Sequence, residues 1–214
     1  MKTTLLSHEA GEGPSILTVG VTDLMTSLAV IFILLFTAYV TKTSESESQA
    51  QEIKKDITSV LRDHFHRYRL SLDADPSDPM VLRVVVPEEL LNFEYGKGTL
   101  SQVASQFLAD SMPTYASVLC GPLREKIDSL VIEGHTDDRG SDFHNLKLSQ
   151  DRSFSVMAKG LEVIAEAVPW AYSCFYQKTS ASGRGRQDLV YEGANVLNRD
   201  KSRRVIFKIR LRSA

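Results

Sequence analysis

Net charge is what this chain has least of: 25 Lys and Arg stand against 27 Asp and Glu over 214 residues, a formal −2. So small an imbalance excludes a general nucleic-acid binder, which needs a stripe of uncompensated basic residues, and no run of like charges supplies one. Nor does the apolar run near the start read as a removable secretory leader. The apolar core of such a leader would span roughly 7–15 residues, hold no acid and end at a small-x-small site. The apolar run here is longer, contains Asp23 and ends in Ala38-Tyr39-Val40-Thr41-Lys42. Metal-ligand spacing is absent too: His135 and His144 fall among Asp137, Asp138 and Asp142 at intervals matching no zinc or calcium pattern, as solvated loop residues do. No cofactor is expected. Cysteine is scarce, with only Cys120 and Cys174.

What the chain does have is a long apolar run, residues 16–40, with one acid inside it. As a helix it would reach about 37 Å, more than the ~30 Å hydrocarbon core of a bilayer, so it can cross with some tilt. Asp23 is the only charged side chain between Glu12 and Lys42. A charge near mid-membrane costs ~2.5 kcal/mol or more on insertion scales, and such a cost usually marks a function. At helical spacing its neighbours are Val19, Gly20, Thr26, Ser27 and Val30, mostly small or hydroxylated, the kind of stripe that packs on other membrane helices. The plainer alternative is an acid that snorkels to the interface or is hydrogen-bonded inside a structural bundle. Lys2 on one side and Lys42, Lys54 and Lys55 on the other do not fix the orientation.

Residues 1–15 read as a short polar tail with Gly11, Gly13 and Pro14. Beyond the membrane run, Ile53, Ile57, Val60 or Leu61, and Phe65 or Tyr68 recur at helical intervals and predict an amphipathic helix over about 49–70. Its stripe suits either a paired helix in a dimer or packing on the domain that follows; two or three heptads do not decide. Leu72-Asp73-Ala74-Asp75-Pro76-Ser77-Asp78-Pro79 reads as a hinge, which makes 41–79 a linker and 80–214 one domain. That domain predicts an α+β fold of order βαβαββ. Its strands fall near 80–86, 129–134 and 175–181 and at the C-terminal end, where Val205, Phe207, Ile209 and Leu211 alternate with basic residues. Helices are predicted from Thr99 and, capped by Asn145 or Asp142, up to Pro169.

The densest chemistry lies between Ile132 and Arg152. Asp137 ends a strand, Arg152 lies in the next helix, and Asn145 and Ser149 stand between them. An acid and an arginine joined by a strand-loop-helix turn suit a zwitterionic ligand, the carboxylate holding an ammonium and the guanidinium forking a carboxylate. The alternative is a structural salt bridge.

These residues carry a resemblance. Gly134-His135-Thr136-Asp137, Gly140, Asn145, Leu148-Ser149 and Arg152 resemble the GHTDxxGxxxxNxxLSxxR signature of the OmpA-like peptidoglycan-binding domain. Gly183-x-Gly185 and Asn198 with Arg203-Arg204-Val205 resemble that family's GxG and NRRVE-type end. The resemblance covers 80–214 and implies that Asp137 and Arg152 hold the two ends of the diaminopimelate side chain in the peptidoglycan stem peptide. Asn145 and Leu148 would shape the pocket, with Thr136 and His144 beside them. Two departures, Ser153 for the usual Ala and an insert at 200–202, are not expected to touch the pocket.

Thr22-Asp23-Leu24-Met25-Thr26 and the apolar run after it are similar to the membrane segment of MotB-like stator B subunits, in which the aspartate accepts the translocated ion. The pairing of that helix with an OmpA-like domain resembles stator B subunits, and its brevity most resembles those of the Zorya anti-phage defence system. The resemblance implies a homodimer passing through a pentameric MotA-like ring, with Asp23 relaying protons. It also implies a single pass through the bacterial inner membrane, the N-terminal tail cytoplasmic and the domain periplasmic. In that oxidising compartment Cys120 and Cys174, each ahead of one of two parallel strands, are expected to form a disulfide. A flagellar stator B subunit and a passive envelope tether are the alternatives. A wall-cutting enzyme is not expected, because no second carboxylate sits in a motif that supports acid-base work beside Asp137.

Overall fold

A computed structural model of the chain describes residues 16–212. The tail expected at 1–15 lies outside the described residues. The chain divides into two compact units, Met1–Glu45 and Ser46–Ala214, with one helix, α1 (Ile16–Tyr68), entering both.

In the first unit α1 exposes its large apolar side chains from Leu24 through Val40, all of them 47–71% accessible. A soluble monomer rarely leaves so large a continuous apolar surface bare, and by length and composition this helix can cross a membrane. The Thr26 hydroxyl donates to the Asp23 carbonyl at 2.9 Å, a bond within the helix that leaves the Asp23 carboxylate exposed in the single chain.

In the second unit the remaining turns of α1 bury Ala50, Ile53, Ile57, Leu61 and Phe65 in the core of the domain itself. Of the two uses open to this stripe, the structure takes packing on the domain. The compact unit therefore begins at Ser46, and the 41–79 linker expected from sequence is for the most part domain. The hinge is corrected as well. Arg69, at φ 54°, ends the helical path, and β1 (Leu72–Asp75) and β2 (Asp78–Pro87) form an antiparallel hairpin. Asp75 Oδ1 accepts from both the amide and the hydroxyl of Ser77 at its turn. Prolines and aspartates serve tight turns as readily as hinges, which is why the segment misreads.

The remaining elements are α2 (Gln102–Cys120), β3 (Ile127–His135), α3 (Asp142–Ala167), a 3₁₀ turn (Pro169–Ala171), α4 (Tyr172–Lys178), β4 (Thr179–Gly185), the small hairpin β5 (Tyr191–Glu192) and β6 (Val196–Leu197), α5 (Arg199–Ser202) and β7 (Arg204–Leu211). The main sheet runs β1-β2-β7-β3-β4, antiparallel except for β3 with β4. The βαβαββ order is present as β2, α2, β3, α3, β4 and β7, with β1 added at one edge. Val205, Phe207, Ile209 and Leu211 face the helices and are buried, whereas Lys208 and Arg210 point to the helix-free side.

Two local expectations are corrected. Phe175 does not open a strand: after Pro169 the chain turns helical again, Phe175 is wholly buried in α4, and β4 starts at Thr179. Nor is α3 capped by Asn145 or Asp142. Ser141 caps it, its hydroxyl accepting from the His144 amide at 3.2 Å. Cys120, the last residue of α2, and Cys174 in α4 form a disulfide with Cα atoms 5.9 Å apart.

His64, on α1, is enclosed by the rings of Phe65, Tyr68, Phe107 and Tyr115 at 5.0–6.0 Å, and its Nε2 has no partner among the described residues. Burial, with Arg67 nearby, lowers its pKa to about 4, against a weaker opposing pull from Asp110. Between pH 6.5 and 4 the unfolded chain therefore binds a proton that the folded chain does not, and stability falls as the pH drops through that window. Denaturant titrations of the full chain in detergent should show this as a loss of about 3 kcal/mol, and His64→Phe should flatten the slope. Reducing the disulfide removes a second contribution: with the cysteines 54 positions apart in sequence, dithiothreitol should cost about 2–4 kcal/mol in the same titration.

Candidate functional site

The site begins with the near contact of α3 on β3 and β4. A Cβ at Gly134 would lie 2.5 Å from the Ser149 carbonyl oxygen, and one at Gly183 would lie 2.4 Å from the Gln150 nitrogen, so only glycine fits either place. Across the gap the Ser149 hydroxyl accepts from the Gly185 amide at 2.8 Å, and Gln150 Oε1 accepts from the Gly183 amide at 2.7 Å. The Thr136 amide then donates to the Gly185 carbonyl at 2.9 Å, which carries Asp137 to the end of the sheet beside the first turns of α3.

The loop after Asp137 is held from within. Asp137 Oδ1 accepts from the Arg139 amide at 3.1 Å, Gly140 takes φ 93°, and Asn145 donates through Nδ2 to the Arg139 carbonyl at 2.9 Å. Asn145 thus shapes the loop from below and is buried in doing so.

A cleft of about 490 Å³ opens above this loop. Thr136, Asp137, His144, Asn145, Leu148 and Arg152, the six residues expected from sequence, all lie on its wall. Asp137 and Arg152 are not salt-bridged to each other. The Asp137 carboxylate bonds Arg139 at 2.7 Å and Arg203 at 3.1 Å. Burial acts to raise its pKa, but the hydrogen bonds from the Arg139 side chain and amide and from Arg203 prevail and hold it below the usual carboxylate range.

Arg152 is only 9% exposed. Its guanidinium lies 4.9 Å from the centre of the Phe93 ring and donates through Nε to the Lys97 carbonyl at 3.2 Å. Among the described residues no carboxylate comes within ion-pair distance of it, and burial pushes its pKa down from the ordinary arginine value. A buried cation so placed on the wall of a cleft favours an incoming carboxylate. Thr136 adds a buried hydroxyl with no partner among the described residues.

Glu88, Phe93, Tyr95, Arg139 and Arg203 also line the cleft and were not singled out as pocket residues from sequence. Glu88 accepts from Arg203 at 2.5 Å, and Asp200 accepts from the same arginine at 2.6 Å. No residue of the insert at 200–202 lines the cleft, and its influence is indirect: it forms most of α5, and Asp200 braces the cleft arginine Arg203. A second carboxylate, Glu88, does stand near Asp137, but it is engaged by Arg203.

Behind the cleft, on the helix-free side, Glu133 is bonded by His135 at 3.1 Å and Lys208 at 2.9 Å. Burial would raise its carboxyl, yet these two partners bring it down to about 2. Among the described residues no group of His, Cys, Asp and Glu is arranged to hold a metal.

No family model matches the chain, and no curated protein does. Solved structures do. A MotB-like protein from Desulfovibrio vulgaris matches at TM-score 0.55 and 23% identity, over 80% of this chain and 99% of that one. The cell wall anchor of the T6SS from Pseudomonas aeruginosa matches at TM-score 0.49 and 19% identity, over 73% and 97% of the two chains. The periplasmic domain of Helicobacter pylori MotB matches at TM-score 0.47 and 17% identity, over 67% and 83%. Likeness at these identities speaks to fold: the domain is α+β and shares its architecture with the Desulfovibrio vulgaris MotB-like protein.

Proposed function

We propose that this chain is the ion-conducting, wall-anchored subunit of a proton-driven rotary membrane complex used in anti-phage defence, of the Zorya type. The observation that carries the reading is Arg152, a buried guanidinium without a carboxylate partner among the described residues, in one cleft with an acid that sits just past the end of a strand. That pair suits a ligand whose ammonium and carboxylate share one carbon, as at the free end of diaminopimelate in a peptidoglycan stem peptide. The fold shared with a MotB-like protein supports the same ligand.

The second support is the apolar run at 16–40, with Asp23 as its one charged side chain. As a homodimer inside a pentameric MotA-like ring, each copy would present Asp23 to the ring wall. Loss and gain of a proton there changes which ring contacts are favourable, and the membrane field supplies ~2.3 kcal/mol per charge per 100 mV. Arg152 and Asp137 keep the chain fixed to the wall, so the ring moves instead. A single pass through the inner membrane puts the N-terminal tail in the cytoplasm and the domain in the periplasm, a placement that agrees with the Cys120–Cys174 disulfide. The short connection, residues 41–45, between the apolar run and the compact unit favours the defence assignment over a flagellar one. The cleft does not favour wall cleavage: Asp137 is kept ionised and Glu88 is tied to Arg203, so neither is poised to donate a proton.

Two substitutions separate anchoring from conduction. Arg152→Ala should weaken binding of the full chain to purified sacculi by about 10- to 100-fold, the range expected for a charged hydrogen-bonding group. Asp23→Asn should leave sacculus binding intact and abolish both proton conduction and phage protection. Full protection by the Asp23→Asn chain would reduce the protein to a passive tether.

A further inference from the structure

Asp137 carries more bonds than a waiting ligand site would. Its Oδ2 accepts from Arg139 Nε at 2.9 Å, from Arg139 Nη2 at 2.7 Å and from Arg203 Nη1 at 3.1 Å, and its Oδ1 accepts from the Arg139 amide. With three of these bonds on one oxygen, an ammonium arriving at Oδ2 has to displace a group already there.

The two arginines are not equally replaceable. Arg203 is 22% exposed and is held by three acids at once, Glu88, Asp137 and Asp200. Arg139 is 63% exposed, and Asp137 is its one ion-pair partner among the described residues. Its side chain can swing into water at little cost, because exposed pairs of this kind are weakly held. The backbone around it need not follow. The Arg139 amide on Asp137 and the Asn145 amide on the Arg139 carbonyl hold the loop without the side chain.

We propose that Arg139 is an internal stand-in for the ligand's ammonium, occupying Asp137 in the empty protein and leaving it when the ligand binds. The proposal rests on the reading of the cleft as a site for a zwitterionic amino-acid end, and it adds how that site chooses. Exchanging one cation for another on Asp137 gains little. Net affinity then has to come from the carboxylate that reaches Arg152, so a simple amine is refused while a group bearing both charges is accepted. Arg139 is in this sense a specificity-determining residue whose loss strengthens binding.

The test is calorimetric titration of the full chain in detergent with meso-diaminopimelate. Arg139→Ala should bind about two- to tenfold more tightly than the unmodified protein, and Arg139→Lys should return most of the difference. Arg199→Gln is the control for charge alone. Arg199 lies near Asp137 but bonds Asp138 at 2.7 Å, so its loss should leave the affinity unchanged. In the unmodified protein the Nε–H resonance of Arg139 should move toward its solvent-exposed position as ligand is added. Equal or weaker binding by Arg139→Ala, or an equal gain from Arg199→Gln, overturns the exchange and leaves the reading of the cleft standing. Absence of binding by every variant overturns the reading of the cleft and the exchange with it.

Discussion

The nearness of α3 to β3 and β4 is the constraint on which the cleft depends. Ser149 and Gln150 reach across to the amides of Gly185 and Gly183 where a side chain on either strand would have forced the layers apart. One helical turn beyond those contacts comes Arg152, and a few residues beyond the strand comes Asp137. Their common wall is thus set by backbone packing that neither of them takes part in. Two hydrogen bonds of ordinary strength, each worth about 1 kcal/mol net, locate the pair. The absence of two Cβ atoms makes those bonds reachable.

Charge in the cleft is arranged in tiers. Arg203 is the fixed member, braced by Glu88 and Asp200 as well as Asp137, and these contacts raise its pKa despite partial burial. Arg139 is the loose member at the rim. Arg152 is the buried one, resting on Phe93 and, among the described residues, without an acid within ion-pair distance. Glu88, Asp137 and Asp200 match the three guanidiniums in number, but all three acids bond Arg203 or Arg139, and among the described residues Arg152 is left without an ion-pair partner. A carboxylate brought by a ligand would supply that partner without requiring any acid of the protein to give up its own.

How much of this could be read from the residues depended on the range of the contacts involved. The apolar run, the alternation of Val205, Phe207, Ile209 and Leu211, and the Gly134 to Arg152 stretch are local patterns, and local patterns survive in a sequence. The stripe from Ile53 to Phe65 was visible, but its partner was not, because a helical face looks the same whether it meets a second copy or its own domain. Strand β4 was displaced because its residues are small where α3 comes near, while the apolar Phe175 just before it fills the core from a helix. Glu88 and Arg203 meet across 115 residues, a separation no spacing rule reports. The cap was expected at Asn145 or Asp142, since Asn, Asp and Ser all cap helices, and only the loop geometry assigns it to Ser141 and turns Asn145 to the Arg139 carbonyl.

The disulfide bears on mechanics. Residues 121–173, which hold β3, the whole of the Asp137 loop and α3, form a covalently closed ring joined at Cys120 and Cys174. If Asp137 and Arg152 are the grip proposed above, a pull along the chain enters this ring before it reaches the rest of the domain. The ring cannot be drawn out to its contour length while the sulfurs are joined. Load entering at the cleft is shared between the ring's two arms, residues 121–136 and 153–173, so neither arm can be drawn out alone.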